Sequence, residues 1–184
     1  MLATLAKIKP MLEISEEDSS QDQLLEALLV ASSTAIENYC RRSFGYQEHK
    51  DVVVDGVRGK SLLLPNYPVH SVSAVSFEDG MREDFELDAE KGILFRRAGW
   101  PCGERAITVS YTAGYVLPGD ATAERPQTLP RVLEIACMLL TQTLMRDPGA
   151  SSERVGDISV SYSADERGLP YTVRALIDPY KRFA

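Results

Sequence analysis

Two histidines, three cysteines and scattered carboxylates are the groups in this 184-residue chain with catalytic or metal-binding potential. His49 stands near Asp51 and Asp55, a set that admits a His-assisted hydrolysis or a metal. One His with two carboxylates on a single strand is too common a pattern to define a metal site. His49 and His70 both read as surface residues at strand ends. No G-x-S-x-G elbow supplies an activated serine. Neither a phosphate-binding G-x-x-x-x-G-K-[ST] nor a dinucleotide-binding G-x-G-x-x-G is present. Tyr46 and Lys50 have the spacing of a reductase dyad, but no glycine-rich βαβ unit precedes them. Cys40 and Cys137 fall in apolar helical patterns, and Cys102 follows Trp100-Pro101 in a turn. An odd number of cysteines without a CxxC pair implies neither a disulfide framework nor a zinc site, so they read as free, mostly buried thiols. Glu16-Glu17-Asp18 is a solvated helix-start cluster, and Glu83-Asp84 lies beside a turn. Neither has the apolar surroundings that raise a carboxyl pKa. No catalytic, cofactor-binding or metal-binding residue is assigned.

The elements that would carry any site fall into three blocks. In the first, Leu2, Leu5, Ile8 and Leu12 mark a short helix, or two turns interrupted at Pro10. Ser20-x-x-Gln23 is compatible with a capping box. An amphipathic helix is expected from Gln21 to about Arg42, with Leu25, Leu28, Leu29, Ser32, Ile36, Tyr39 and Cys40 on its template positions. Arg41 and Arg42 suit the negative end of its dipole. In the second block, β-branched runs at 52–54, 61–64, 69–77, 84–87, 93–95 and 106–111 are separated by turn signals at Asp55-Gly56, Pro65-Asn66-Tyr67-Pro68, Asp79-Gly80 and Lys91-Gly92. Their connections are too short for parallel crossovers, so a small antiparallel sheet, barrel-like or sandwich-like, is expected. Neither face of 69–77 is strongly apolar. The third block returns to helix at 130–146, with Pro130 in the first turn and Asp147-Pro148-Gly149 as its stop. A strand or hairpin follows near 155–163, and 170–180 is a final short helix carrying Val173, Leu176 and Ile177.

The expected fold is α+β: a helical bundle from the N- and C-terminal segments (1–49 and 116–184) with an antiparallel β domain (50–115) inserted. The formal net charge of −7 argues against a protein that grips nucleic acid over its whole surface and is compatible with one that lets DNA pass. With no run of about 18 apolar residues, no transmembrane helix is expected. The N-terminus lacks signal-peptide features, so an intracellular setting is expected.

The segment 105–146 poses a packing question. Leu129, Leu133, Ala136, Cys137, Leu140 and Leu144 make one apolar stripe, while Val132, Ile135, Met138, Leu139 and Met145 fall largely outside it. A surface helix needs one stripe. This helix therefore calls for cover from more than one direction, either by its own fold or by another subunit.

Several fragments occur in a characteristic order. They are Leu24-Leu25, and Ala35-Ile36-Glu37-Asn38-Tyr39-Cys40-Arg41-Arg42-Ser43-Phe44. Leu62-Leu63-Leu64-Pro65 follows, with Pro68-Val69 and Ser71-Val72. Next come Val109-Ser110-Tyr111-Thr112-Ala113-Gly114-Tyr115, and the helix opened by Leu129-Pro130 and closed by Met145-Arg146. Val155-Gly156-Asp157-Ile158-Ser159-Val160-Ser161-Tyr162 and Leu176-Ile177-Asp178-Pro179-Tyr180-Lys181-Arg182 complete the set. Together they cover most of the chain. Their order and spacing resemble the head–tail connector (adaptor) proteins of long-tailed bacteriophages and prophages, in the longer variety with a β-rich insertion.

That resemblance implies a non-enzymatic structural protein, without cofactor, metal or membrane association. It would form a homo-oligomeric ring under the phage portal protein, extend the DNA channel without sequence-specific binding, and dock the tail or a stopper protein. Its place would be the virion head–tail junction, reached from the host cytoplasm during assembly. Candidate partner or subunit contacts are Ile135, Met138 and Met145 on the long helix, and Tyr115 and Asp120 at the 115–127 loop. Tyr180, Lys181 and Arg182, with Phe183, are a further set near the C-terminus, and the polar segment 147–154 is another candidate docking segment. The alternatives are a small phage-assembly binding module or chaperone acting as monomer or dimer, and a hydrolase using His49 with Asp51 and Asp55.

Overall fold

A computed structural model of the chain describes residues 1–78, 80–146, 152–155, 158–161 and 169–182. The chain divides into two units, residues 1–41 with 117–184 and residues 42–116. The architecture is mixed: helices and antiparallel sheets, an α+β fold.

The first unit contains helices α1 (Leu5–Met11), α2 (Asp22–Cys40), α3 (Arg131–Arg146) and α4 (Tyr171–Ile177). Two 3₁₀ turns, Pro118–Asp120 and Asp178–Tyr180, belong to it as well. So does a hairpin in which Ser152–Val155 pairs antiparallel with Ile158–Ser161. The expected helix stop at 147–149, Tyr162 and Ser163 lie outside the described residues. Pro10 does not interrupt α1, which runs through it and ends one residue later. With so few turns left, the amide that proline lacks is the only one lost. Lys9 is buried; its ammonium donates to the carbonyls of Glu16 (3.2 Å) and Asp18 (2.9 Å) and lies 2.7 Å from the Asp22 carboxylate.

That cage, with Asp18 Oδ1 accepting from the Ser20 amide at 2.9 Å, fixes the entry to α2. The expected Ser20–Gln23 capping box does not form: Gln21 is the N-cap and no side chain caps the helix. Ser20 is held in the Asp18 turn, one residue too early for that role. Along α2, Leu25, Leu29, Ser32, Ser33, Ile36 and Cys40 are buried. The polar position in that stripe is satisfied across the interface, because Thr141 Oγ1 of α3 donates to Ser32 Oγ at 2.9 Å. Ser33 Oγ donates to the Leu29 carbonyl (2.7 Å) and accepts from the Leu2 amide (2.9 Å). Arg41 adopts a left-handed C-cap with φ 55°, and the α2 carbonyl of Cys40 accepts from the Arg182 amide at 2.9 Å. This bond uses one of the carbonyls a helix end leaves open.

The second unit is all strand. Its elements are β1 (Gln47–Gly56), β2 (Ser61–Leu63), β3 (Val69–Phe77), β4 (Gly80–Met81), β5 (Glu86–Asp88), β6 (Ile93–Phe95) and β7 (Gly103–Ala113). They form a four-stranded sheet of order β1-β7-β3-β4 and a three-stranded sheet of order β2-β6-β5, with every described ladder antiparallel. Both sheets feed one core: Val54, Val75, Phe77, Ile107, Val109 and Tyr111 from the first, Leu62 and Leu94 from the second, closed by Trp100. The Trp100 indole donates to the carbonyls of Lys60 and Leu94, both at 3.1 Å. β3 does have a core face, contrary to its unbroken alternation. Irregularities between Val69 and Ser71 and between Val72 and Ala74 shift its phase twice, so that Ser71 and Ser73 are turned out and Val72 packs against the core between the buried Val69 and the buried Val75 and Phe77. Asp79, in the expected Asp79-Gly80 turn, lies outside the described residues.

Candidate functional site

The residues with catalytic potential are not brought together. The His49 ring stacks on Tyr111 (centroids 4.9 Å, planes 22° apart). Burial holds its pKa below the usual imidazole range. Its Nε2 has no hydrogen-bond partner among the described residues. Asp51 is engaged elsewhere: its amide donates to Ser110 Oγ (2.9 Å), whose hydroxyl returns a bond to Asp51 Oδ1 (3.2 Å). Asp55 Oδ1 accepts from the Arg105 amide at 2.7 Å. The His49–Asp51–Asp55 set is thus dispersed into the β1–β7 ladder. His70 Nε2 lies 2.7 Å from the Gly114 carbonyl and its ring 4.9 Å from that of Tyr46, while Lys50 pairs with Glu48 at 3.3 Å. No dyad forms from Tyr46 and Lys50. Cys40 and Cys137 are buried and Cys102 is exposed, all as free thiols. Burial pushes the Cys137 thiol up from its ordinary value. No group of three or more metal-binding side chains occurs among the described residues.

The surface of the helical unit is more informative. α3 buries Leu133, Ala136, Cys137, Leu140 and Thr141 on one side, with Leu129 ahead of it. Leu144 is only half-buried. The opposite side does not receive the expected cover from the described residues: Val132 is 37% and Ile135 44% exposed. Met138, Leu139 and Met145 are half-buried. Met145 lines an open groove of about 430 Å³ with Met11, Leu12, Ile14, Gln142 and Arg146.

One charged residue of α3 was invisible to pattern reading. Glu134 lies on the buried side, and its carboxylate is 2.5 Å from the Lys7 ammonium. Gln127 joins them, accepting from Lys7 at 3.0 Å and donating to Glu134 at 3.4 Å. The outward charges of α3 are therefore the exposed Arg131 and Arg146. On α2 the exposed residues include Leu24 (53%), Val30 (51%) and Glu26. The signal for that face was available in the composition of the helix, which has three acids and no lysine or arginine.

The other candidate contacts are placed as follows. Tyr115 belongs to the β unit: its amide donates to the Phe44 carbonyl (2.7 Å) and its carbonyl accepts from the Tyr46 amide (2.9 Å). Asp120 is exposed at the end of the Pro118–Asp120 turn. Tyr180, Lys181 and Arg182 do not fray; they are half-buried and fold back on the end of α2. Lys181 Nζ is 4.5 Å from the Tyr39 ring centre, and Tyr39 donates a 2.5 Å bond to Asp178. That bond is the main cause of a raised Tyr39 pKa. Phe183 and residues 147–151 of the 147–154 segment lie outside the described residues.

The described residues thus combine an antiparallel β unit, packed helices and exposed apolar surface on α2 and α3. The family model described as head completion protein matches residues 1–183, and the chain belongs to that family. This agrees with the head–tail connector resemblance of the sequence fragments. The fold is also that of solved structures covering 100% of this chain. The first is titled the neck of an empty GTA particle computed with C6 symmetry (TM-score 0.62, 16% identity, 91% of that chain). The second is the neck of a native GTA particle computed with C12 symmetry (0.60, 17%, 90%). The third is the virion of a native gene transfer agent particle (0.60, 17%, 91%). No curated protein matches the sequence.

Proposed function

We propose that this chain is a structural subunit of the phage neck, a non-enzymatic protein that assembles as a homo-oligomeric ring under the portal. The ring extends the DNA channel and offers the tail or a stopper protein a docking surface. The observation that carries this reading is that the family match spans both units, helical and β, rather than one grafted motif. The neck structures with the same fold were solved with six- and twelve-fold symmetry, which supports a ring here. The net charge of −7 suits a conduit that repels phosphate instead of binding a sequence. Among the described residues no helix is long and apolar enough to cross a membrane. On this reading the protein matures in the host cytoplasm and ends in the virion. Ile135, Met138 and Met145 face a neighbouring subunit, and Asp120 is a candidate for portal or tail contact. Tyr115, Tyr180, Lys181 and Arg182 act less as docking groups than as anchors of their own units.

Deleting the gene and examining the particles tests the role. DNA-filled heads lacking tails are expected, with infectivity restored by the gene in trans. Normal infectious particles from the deletion strain would remove the joining function.

A further inference from the structure

The two long helices of the helical unit present chemically opposite outer faces. At 3.6 residues per turn, Glu26, Val30 and Glu37 of α2 share one flank. Val30 is half exposed and Glu26 is exposed beside it, on a helix that itself contains no lysine or arginine; its other acid near the start, Asp22, is paired with Lys9 and lies off this flank. α3 reverses this pattern. Arg131 and Arg146 bracket its outer face, about 22 Å apart at the helical rise of 1.5 Å per residue, with Val132 and Ile135 exposed between them. The one acid of α3, Glu134, is turned inward onto Lys7 and adds nothing to that face. Neither face includes the Ser32, Ser33, Cys137 and Thr141 side chains that join α2 to α3.

A second copy of the chain fits these faces in only one way. Two α3 faces would set arginine against arginine, and two α2 flanks glutamate against glutamate. An α2 flank against the α3 face of another copy sets carboxylate against guanidinium and apolar against apolar. Such charge complementarity chooses the partner face and the register. Contact between two different faces is heterologous, and it generates a ring when its rotation closes. We propose that the acidic α2 flank around Glu26 and Val30 docks on the basic, apolar α3 face around Arg131 and Ile135 of the next subunit. This contact repeats around the ring. The inference rests on the ring reading above and names its interface.

The test is charge exchange in the full-length chain, with ring assembly measured by native mass and electron microscopy, both free and on heads from the deletion strain. Glu26→Arg alone and Arg131→Glu alone should each weaken assembly by about tenfold or more, because each makes the contact like-charged. An equimolar mixture of the two single variants should recover it, since alternating subunits restore opposite charges at every contact of an even-numbered ring. The double variant Glu26→Arg/Arg131→Glu should recover it too. Both positions are exposed, so thermal melting close to that of the parent chain is expected and guards against misfolding. If the parent forms rings and the single variants do so equally well, or if neither the mixture nor the double variant recovers, the interface is wrong and the ring reading stands. A parent chain that forms no ring, free or on heads, overturns both.

Discussion

Replacing Lys7 by methionine removes the only cation within ion-pair distance of Glu134 among the described residues. The pair is lopsided: the glutamate side chain is 4% exposed and the lysine 43%. The 2.5 Å approach is an ion contact without the alignment of a hydrogen bond at Oε1, and the amide of Gln127 reaches only the other oxygen, at 3.4 Å. Stripping the partner from a fully buried charge costs about 3–5 kcal/mol. Here the vacated lysine position is open enough for water, so the expected cost of Lys7→Met is about 2 kcal/mol. For a chain of this size that is a fall of about 4–8 °C in melting temperature, from the usual shift of about 2–4 °C per kcal/mol. Glu134→Gln should be milder, below about 1 kcal/mol, because the freed lysine simply hydrates and the amide can still bond Gln127. The double variant should resemble Glu134→Gln and be more stable than Lys7→Met alone. Urea titration followed by the helical circular dichroism signal reads the order directly. The argument fails if Lys7→Met is no less stable than Glu134→Gln, or if adding Glu134→Gln to Lys7→Met recovers nothing.

Changes at Gly114 and His49 probe the β unit, with Gly119 of the helical unit as a control. Gly114→Ala would bring a Cβ to 2.2 Å from the Gly45 carbonyl oxygen at φ +108°, so a loss of about 2–5 kcal/mol is expected. Gly119→Ala meets nothing within 4 Å and should be neutral or slightly stabilising in the same melting assay. His49, held neutral by burial, takes up a proton more readily in the unfolded chain. Its contribution is therefore intact above the ordinary imidazole pKa of about 6.5 and lost as pH falls through and below it. The melting temperature should drop more between neutral and mildly acidic pH in the parent than in His49→Asn, and equal slopes would refute this.

Strands and helices with strong side-chain patterns were legible. β3 spans the expected 69–77 and β6 the expected 93–95, and α2 and α3 fall within two residues of their expected bounds. The first half of β1 was not legible. Gln47, Glu48 and His49 carry no strand pattern, yet they pair with Ala113, Thr112 and Tyr111 because the β7 ladder supplies the partners. β4 is two residues long and exists only through its hairpin with Ser76 and Phe77. Of the candidate surface, Ile135 stands out in the sequence as surplus apolar area, but the opposite charge of the two helix faces depends on where Glu134 points. A helix pattern does not say whether a first-turn glutamate is solvated or buried against a lysine 127 residues away in sequence.

Local patterning specifies the element types, the antiparallel character of the strand block and the order of fragments that marks the family. These are local: periodicity, turn residues and motif spacing act within a few residues of each other. Only the tertiary fold settles which sides of α3 are covered, where Glu134 and Lys9 find their partners, and how His49 loses its carboxylates to the ladder. Each of these depends on groups distant in the chain meeting in a medium where an unpaired charge or polar group is costly. That cost chose between arrangements that local patterning left equivalent.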